Sequence, residues 1–150
     1  MKLTPPSYAP AVRLADCTGH PVEIGTGRRT MLAFFRDTSC PFCNLRVYEL
    51  TQMHEELATA GLEIVAVFSS TPDEVLKFVQ QRPRPFRVAA DPGNEAYRIY
   101  GVRHSFAGKL QAVFNRSGDW LAGMHAAEAY YGGDAGDHIP LDRILRFAHA

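Results

Sequence analysis

The chain has 150 residues, 46% of them hydrophobic, and its sixteen Lys and Arg residues balance sixteen Asp and Glu residues. A chain of this length can bury about 70% of the surface that its unfolded form exposes, so we expect one domain over residues 1–150. Balanced charge, without blocks of one sign, gives no field that would draw the protein onto nucleic acid. We therefore expect no nucleic-acid partner.

The start of the chain, MKLTPPSYAP, has one lysine and no apolar run of the length that a signal peptide needs. No stretch approaches the roughly 18 apolar residues of a membrane span. We therefore expect a cytoplasmic protein with no membrane partner. The three cysteines, Cys17, Cys40 and Cys43, cannot all pair within one chain, and a reducing cytosol disfavours structural disulfides. A transient redox disulfide remains consistent with both points.

The first part of the chain predicts a hairpin, a buried strand and a helix. AVRLADCTGHPVEI alternates apolar and polar residues on either side of a turn, which predicts two short strands at the edge of a sheet. TMLAFF is a continuous apolar run and predicts a central strand ending before the cysteine pair. From Pro41 to Ala60 apolar residues recur at helical spacing, and Gly61 supplies a stop. This apolar stripe consists of Cys43, Val47, Leu50, Met53 and Leu57.

The remaining segments continue the alternation of strands and helices. LEIVAVFS predicts a second buried strand, and TPDEVLKFVQQ predicts a helix with Thr71 and Glu74 as a capping box around Pro72. Further predicted elements are a strand at FRVAA, a helix at NEAYRIYG, a hairpin at LQAVFNRSGDWLAG and a final helix from Pro140. The order predicts an α/β domain with a mixed central sheet, helices on both faces and an N-terminal hairpin.

The cysteine pair falls at the junction of the first central strand and its helix. The first turn of a helix presents unpaired N–H groups and a positive dipole end, and both stabilise an anion. Cys40 lies at the cap position before Pro41, so we expect a lowered pKa and an exposed nucleophilic thiolate. Cys43 lies one turn inside the helix, shielded and positioned to resolve a mixed disulfide. Phe42 would add an apolar surface where a substrate docks.

Four segments together resemble the thioredoxin-like superfamily, and within it the peroxiredoxin-related alkyl hydroperoxide reductase and thiol-specific antioxidant family. These are VRLADCTGHPVEI with Asp16 and Gly19, TMLAFFRDTSCPFC, ADPGNEAYRIYGV and AVFNRSGDWL. The resemblance implies a thioredoxin-like (peroxiredoxin-like) fold and an oxidoreductase that acts on disulfides or hydroperoxides. The exchange between the two cysteines would need an external thiol reductant to reset it, and we expect no bound cofactor and no metal.

Departures from the family pattern bear on the mechanism. Peroxiredoxins read P-x-x-x-T-x-x-C around the peroxidatic cysteine, whereas this chain has Ala33 for the Pro and Asp37 for the Thr, with Thr38 one position late. Lys109 stands where the family has an Arg, and Lys lacks the planar fork of Arg. Thioredoxins place a cis-proline opposite their CxxC, whereas the segment HSFAGKLQAVF contains no proline. The pattern favours dithiol exchange over peroxide reduction.

Several alternatives remain open at the level of sequence. A thiol peroxidase would oxidise Cys40 to a sulfenic acid that condenses with Cys43. A metal-binding module would use both thiolates but needs two further ligands, and a redox sensor would change a partner surface without turnover. Arg36 and Asp37 end the central strand, where Arg36 would lower the pKa of Cys40 and Asp37 would raise it or accept a proton. A homodimer and a role for Cys17 are also open.

Overall fold

A six-stranded mixed sheet runs through the residues that the computed structural model describes, which are 9–24, 29–102, 124–125 and 139–149. Its strands, in the spatial order β2-β1-β5-β4-β3-β6, are β1 Val12–Asp16, β2 Pro21–Ile24, β3 Thr30–Phe35, β4 Glu63–Phe68, β5 Arg87–Ala90 and β6 Met124–His125. The helices are α1 Pro41–Thr59, α2 Pro72–Gln81, α3 Glu95–Ile99 and α4 Leu141–Ala148. This order matches the predicted α/β architecture.

Strands β3, β4 and β5 form the parallel centre of the sheet. Phe35 pairs with Phe68, and Phe68 pairs with Ala90, so the carboxyl ends of the three strands share one edge. The β1–β2 hairpin joins β5 in antiparallel orientation, and β6 pairs antiparallel with β3 on the other side. The predicted N-terminal hairpin and mixed sheet are confirmed.

Each face of the sheet carries its own hydrophobic core. On one face, alternate residues of β3 and β4 pack against α1, α2 and α4, and Phe35 stacks on Phe68 with ring centroids 5.2 Å apart. On the other face, Leu32 and Val65 pack against α3 and the tyrosine that follows it. Burying an aliphatic or aromatic side chain of this size contributes about 1.5–3 kcal/mol, so the two layers hold the sheet rigidly.

Helix boundaries follow the predicted signals. Cys40 is the N-cap of α1 in an extended conformation, with φ −71° and ψ 116°, and a proline occupies the first turn. Gly61 ends α1 with φ +75°, a left-handed conformation in which a Cβ atom is strained. The capping box between Thr71 and Glu74 is present at the start of α2. Four of the five predicted stripe residues of α1 are buried, and Met53 is partly buried against the same core.

Some predictions fall on other parts of the chain. The predicted hairpin at residues 110–123 and Lys109 lie outside the described residues, so the single domain over residues 1–150 also stays a prediction. Among the described helices, none has the length and apolar character needed to cross a bilayer.

Candidate active site

The cysteine pair lies at the edge of the sheet where the parallel strands end. After β3 ends at Phe35, a short turn leads into α1, and the Cys40 N–H donates to the Asp37 carbonyl at 3.3 Å. The Cys40 carbonyl accepts the first helical hydrogen bond, from the Asn44 N–H at 3.0 Å. The predicted cap position of Cys40 and the position of Cys43 one turn later are thus confirmed, and both residues are fixed by backbone hydrogen bonds.

Cys40 is the thiol favoured as the anion. A hydrogen bond from the Cys43 thiol lowers the pKa of Cys40 from its ordinary value near 9.0 to about 6, while burial opposes the shift. The N–H groups of Phe42 and Cys43 and the charge of Arg36 act in the same direction, although neither amide forms a strict cap hydrogen bond. At neutral pH the Cys40 sulfur therefore carries the negative charge.

Cys43 is held in its protonated form by the same contact. Its hydrogen bond to the Cys40 sulfur, its burial and the negative charge on Cys40 all raise the pKa of the Cys43 thiol. The backbone N–H groups of Arg36 and Asp37 face the Cys43 sulfur and oppose that rise. The Cys40 sulfur is thus anionic and the Cys43 thiol is neutral, and the two backbone amides face the sulfur of Cys43.

Arg36 and Asp37 form an ion pair beside the cysteines. The Arg36 Nε donates to the Asp37 carboxylate at 3.0 Å, and the Ser39 hydroxyl and N–H donate to the other carboxylate oxygen at 2.6 and 3.2 Å. Burial favours the neutral acid, yet the bonds from Ser39 and Arg36 lower the pKa of Asp37 below its ordinary value. Asp37 therefore stays ionised and is a poor acceptor for a proton from Cys40.

Thr38 and Arg36 differ in what they do for the cysteines. The Thr38 N–H donates to the hydroxyl of the buried Ser70 at 3.3 Å, which ties the turn to the end of β4. Arg36 contributes positive charge that favours the Cys40 thiolate, in line with the prediction. Thr38 therefore acts in fixing the turn, and Arg36 acts on the sulfur itself.

The prediction of an exposed Cys40 is wrong. Only 3% of Cys40 and 4% of Cys43 is exposed, so both belong to the hydrophobic core on the α1 face of the sheet. Phe42, predicted as a docking surface, is half-buried and packs against that same core, while Pro41 is exposed. The prediction failed because helical periodicity reports which face of a helix is apolar, and it does not report how closely the residues of the core pack around the helix start.

Cys17 does not belong to the cysteine pair. It follows β1, which is separated from β3 by β5 and β4, so three strand spacings of about 4.8 Å place it roughly 14 Å from the β3 strand. A disulfide requires Cα atoms within about 7 Å. All three cysteines are free thiols, and the strand order separates Cys17 from the strand that leads to Cys40.

Arg46 is a buried residue that the sequence did not single out. Its side chain is 1% exposed, and its guanidinium donates to the Ile139 carbonyl at 2.8 Å and to the Glu49 carboxylate at 3.0 Å. Burial lowers the pKa of Arg46, and the bond to Glu49 opposes this. The i, i+3 spacing from Cys43 was the available signal, because it places Arg46 on the apolar stripe. Arg46 joins the helix of the cysteines to the segment before α4.

Tyr97 and Asp91 support the sheet edge beside the cysteines. The Asp91 carboxylate is buried and accepts N–H groups at the start of α3, at 2.8 and 2.9 Å from Glu95 and Ala96. From α3, the Tyr97 hydroxyl reaches the carbonyls of Phe35 and Val67, the latter at 3.0 Å. Because Phe35 directly precedes the amides that face Cys43, Tyr97 fixes the backbone from which those amides project.

The site offers little to a metal ion. Within the described ranges, no three His, Cys, Asp or Glu side chains gather closely enough to hold one. Two thiolates alone do not complete the four ligands of a structural zinc site.

The sheet is thioredoxin-like, and two thiols with opposite pKa shifts lie at the start of the helix that follows its central strand. These features define a thiol-redox protein. The model of the AhpC/TSA family matches residues 7–118, and the chain belongs to this family. This confirms the resemblance, the fold class and the expectation of an oxidoreductase enzyme.

Individual relatives carry two kinds of name. The chain is 25% identical to the peroxiredoxin Bcp of Escherichia coli over 112 residues, 72% of each protein. It is 30% identical to the thiol-disulfide oxidoreductase ResA of Bacillus thuringiensis over 97 residues, which is 63% of this chain and 56% of that protein. The thioredoxin domain of a Bacteroides vulgatus thiol-disulfide oxidoreductase shares the fold, with a TM-score of 0.65 over 97% of this chain and 96% of that one, at 13% identity.

Proposed function

We propose that this protein is a thiol–disulfide oxidoreductase in which Cys40 attacks a substrate disulfide and Cys43 resolves the product. The single observation that carries the proposal is the opposite direction of the two pKa shifts within one hydrogen-bonded pair. Exchange needs one thiolate to attack and one protonated thiol held in reserve. The substrates are disulfide-bearing proteins or small disulfides, and an external thiol resets the pair.

In the first step the Cys40 thiolate attacks one sulfur of the substrate disulfide. A new bond forms between Cys40 and that sulfur, the substrate S–S bond breaks, and the other substrate sulfur leaves as a thiolate. Since 3% of Cys40 is exposed, the substrate reaches it only when groups around the turn move apart. The charge of Arg36 beside the sulfur favours the anionic state before attack.

In the second step Cys43 must lose its proton and attack Cys40. Two of the causes that raise the pKa of Cys43, its bond to the Cys40 sulfur and the charge there, weaken once Cys40 becomes part of an uncharged mixed disulfide. The amides of Arg36 and Asp37 then remain to stabilise a Cys43 thiolate. Its attack forms the Cys40–Cys43 disulfide and releases the second substrate thiolate, so the substrate gains two electrons and the protein loses two.

The proposal is tested by reduction of insulin with dithiothreitol as the terminal reductant. Wild type is expected to accelerate the reaction, Cys40→Ser to abolish the acceleration, and Cys17→Ser to leave it unchanged as a matched control. Cys43→Ser is expected to accumulate a mixed disulfide on Cys40, detected by mass spectrometry of the intact protein. Equal rates for wild type and Cys40→Ser would refute the proposed role of Cys40.

Burial of Cys40 supports a second candidate, a thiol peroxidase. A hydroperoxide is small enough to reach a thiolate that is 3% exposed with less movement than a protein disulfide requires. The Cys40 sulfur would attack the O–O bond, release water or an alcohol and become a sulfenic acid, which Cys43 would convert into a disulfide with loss of water. Asp37 stands where the family has Thr, so the disulfide reaction remains the leading proposal.

Stopped-flow oxidation by hydrogen peroxide separates the two candidates. A rate constant for Cys40 no larger than that of a free thiol excludes the peroxidase, whereas a rate several orders of magnitude larger favours it over disulfide exchange.

We further propose a cytoplasmic location, supported by three free cysteines of which two form the redox couple. Detection of the protein in a periplasmic or secreted fraction would contradict that location.

A further inference from the structure

A cavity lies at the sheet edge opposite to the cysteines. It has a volume of about 640 Å³ and is bordered by the end of α1 and by the starts of β4 and β5. This volume falls in the range of about 300–1,000 Å³ that small ligands occupy in proteins. Its charged and aromatic lining residues are Arg29, His54, Glu63, Arg84, Phe86 and Arg87.

The cavity is separate from the cysteine pair. His54 lies fourteen residues beyond Cys40 on α1, and at 1.5 Å of rise per residue this is about 21 Å along the helix. Cys40 follows the carboxyl end of β3, whereas Arg29 precedes its amino end. A ligand in this cavity therefore cannot touch the sulfurs, so the cavity calls for a function of its own.

Two of the three arginines already have partners. Arg87 forms an ion pair with Glu63, and Arg29 donates to the carbonyls of Phe147 and Ala148 at 2.6 and 3.2 Å. Glu63 is the single carboxylate among the described lining residues. Glu63 therefore balances the charge of Arg87 only, and carbonyls occupy donors of Arg29. Arg84 is the lining arginine whose donors have the weakest partners among the described residues.

Arg84 is held in place but not satisfied. Its guanidinium lies 5.2 Å from the centre of the Phe78 ring, and one terminal nitrogen reaches the Thr51 hydroxyl at 3.5 Å, the limit of a hydrogen bond. Its Nε is buried and has no hydrogen-bond partner among the described residues. Burial and the charge of Arg82 lower the pKa of Arg84, as expected for a cation without a counterion. Because Arg84 lines the cavity, its guanidinium is the donor group that an oxygen of a bound ligand would contact.

We propose that this cavity binds a small oxyanion, a carboxylate or a phosphate, with Arg84 as its principal partner. The planar guanidinium presents parallel N–H donors that match two oxygens of either group. Phe86 and His54, whose rings lie 6.2 Å apart and are tilted by 38°, provide an aromatic wall against which the body of an organic anion can pack. Glu63 is neutralised by Arg87 and does not repel the ligand.

Isothermal titration calorimetry on the full-length protein tests the proposal with inorganic phosphate and with citrate, at an ionic strength held constant with sodium chloride. We expect saturable binding of one anion with a Kd below about 1 mM, a range typical of weak small-ligand sites. Tighter binding of citrate identifies a carboxylate ligand, and tighter binding of phosphate a phosphate ligand. Absence of saturation with both anions up to ten times that concentration overturns the proposal.

Three variants assign the binding to Arg84. Arg84→Gln is expected to weaken binding at least tenfold, and Arg84→Lys to weaken it less because the charge remains without the planar fork. Arg82→Gln is the matched control, since Arg82 is exposed, two residues away and outside the lining, and should change the Kd less than threefold. Equal affinity of wild type and Arg84→Gln contradicts the assignment.

A measurement on the wild-type protein covers the case in which Arg84→Gln fails to fold. Amide chemical-shift changes on adding phosphate or citrate should concentrate at Gly61, Phe86 and Arg87 and be absent at Cys43. Changes spread evenly over the surface, or centred on α1 near Cys43, overturn the proposal. Cys40→Ser should bind the anion with unchanged affinity, because the cavity lies at the other end of α1.

Discussion

Removal of the Cys43 thiol is expected to raise the pKa of Cys40 by one to two units. The hydrogen bond from Cys43 is the largest of the causes that lower that pKa to about 6. A hydrogen bond to a charged group is worth about 1.5–3 kcal/mol, and 1.36 kcal/mol corresponds to one pKa unit. Cys43→Ala should therefore leave the pKa between about 7 and 8, because the charge of Arg36 and the amides of the first turn remain.

The assay is the absorbance of the thiolate at 240 nm, followed from pH 4 to pH 10 in a Cys17→Ser background. At pH 7 the thiolate fraction of Cys40 should fall from about 90% to between about 10% and 50%. Cys43→Ser is the matched control, since a serine hydroxyl still donates a hydrogen bond to the Cys40 sulfur and should shift the pKa less. A change below half a unit in Cys43→Ala would refute the reasoning and assign the low pKa to Arg36 and the helix start.

Three further predictions concern the potential and the stability of the fold. Cys40 is already deprotonated above its pKa of about 6, so the reduction potential of the cysteine pair should fall by about 30 mV per pH unit above pH 6 and by about 60 mV per pH unit below it. The potential is measured against glutathione redox buffers, and a single slope of about 60 mV per pH unit up to pH 8 would contradict this. Arg46→Ala should lower the free energy of unfolding in urea by about 2–4 kcal/mol, because the substitution opens a cavity and leaves the Ile139 carbonyl unpaired. Arg46→Met should recover part of this loss, and a loss below about 0.5 kcal/mol for Arg46→Ala would contradict the prediction. Tyr97→Phe should lower the free energy of unfolding by about 1–2 kcal/mol in the same measurement. Tyr100→Phe should lower it less, because the Tyr100 hydroxyl bonds one carbonyl in the N-terminal segment, and the reverse order would contradict the role given to Tyr97.

Periodicity was sufficient to predict the elements that build the site. The apolar run of β3, the helical stripe of α1 and the capping box at Thr71 are local signals, and each element occurs where its signal lies. The cap position of Cys40 also follows from local sequence, because Pro41 fixes the first turn of the helix. The sequence therefore predicted the order of the two thiols along the helix and the direction of the pKa of Cys40.

What local sequence did not report depends on contacts between distant segments. Arg46 occupies an apolar stripe, and its burial is explained by a carbonyl 93 residues further along the chain. Cys40 is likewise buried as part of a core that residues of the sheet and of three helices build together. The amides that face Cys43 come from the four-residue turn 36–39 after β3. Hydrogen bonds with Ser70 and Tyr97, from other parts of the chain, fix the geometry of this turn. Spacing along one helix carries none of this information.

The two arginines that contact the C-terminal segment have a consequence for the order of folding. Arg46 binds the carbonyl of Ile139 before α4, and Arg29 binds the carbonyl of Phe147 at its end, across 93 and 118 residues of sequence. Contacts that close such long loops are entropically slow to form, so α4 should dock after the sheet and α1 have assembled. Until then the guanidinium of Arg46 remains hydrated on the α1 face, which keeps a charged group on an apolar surface that is not yet covered. Before α4 docks, this charge should therefore disfavour association of folding chains through that surface.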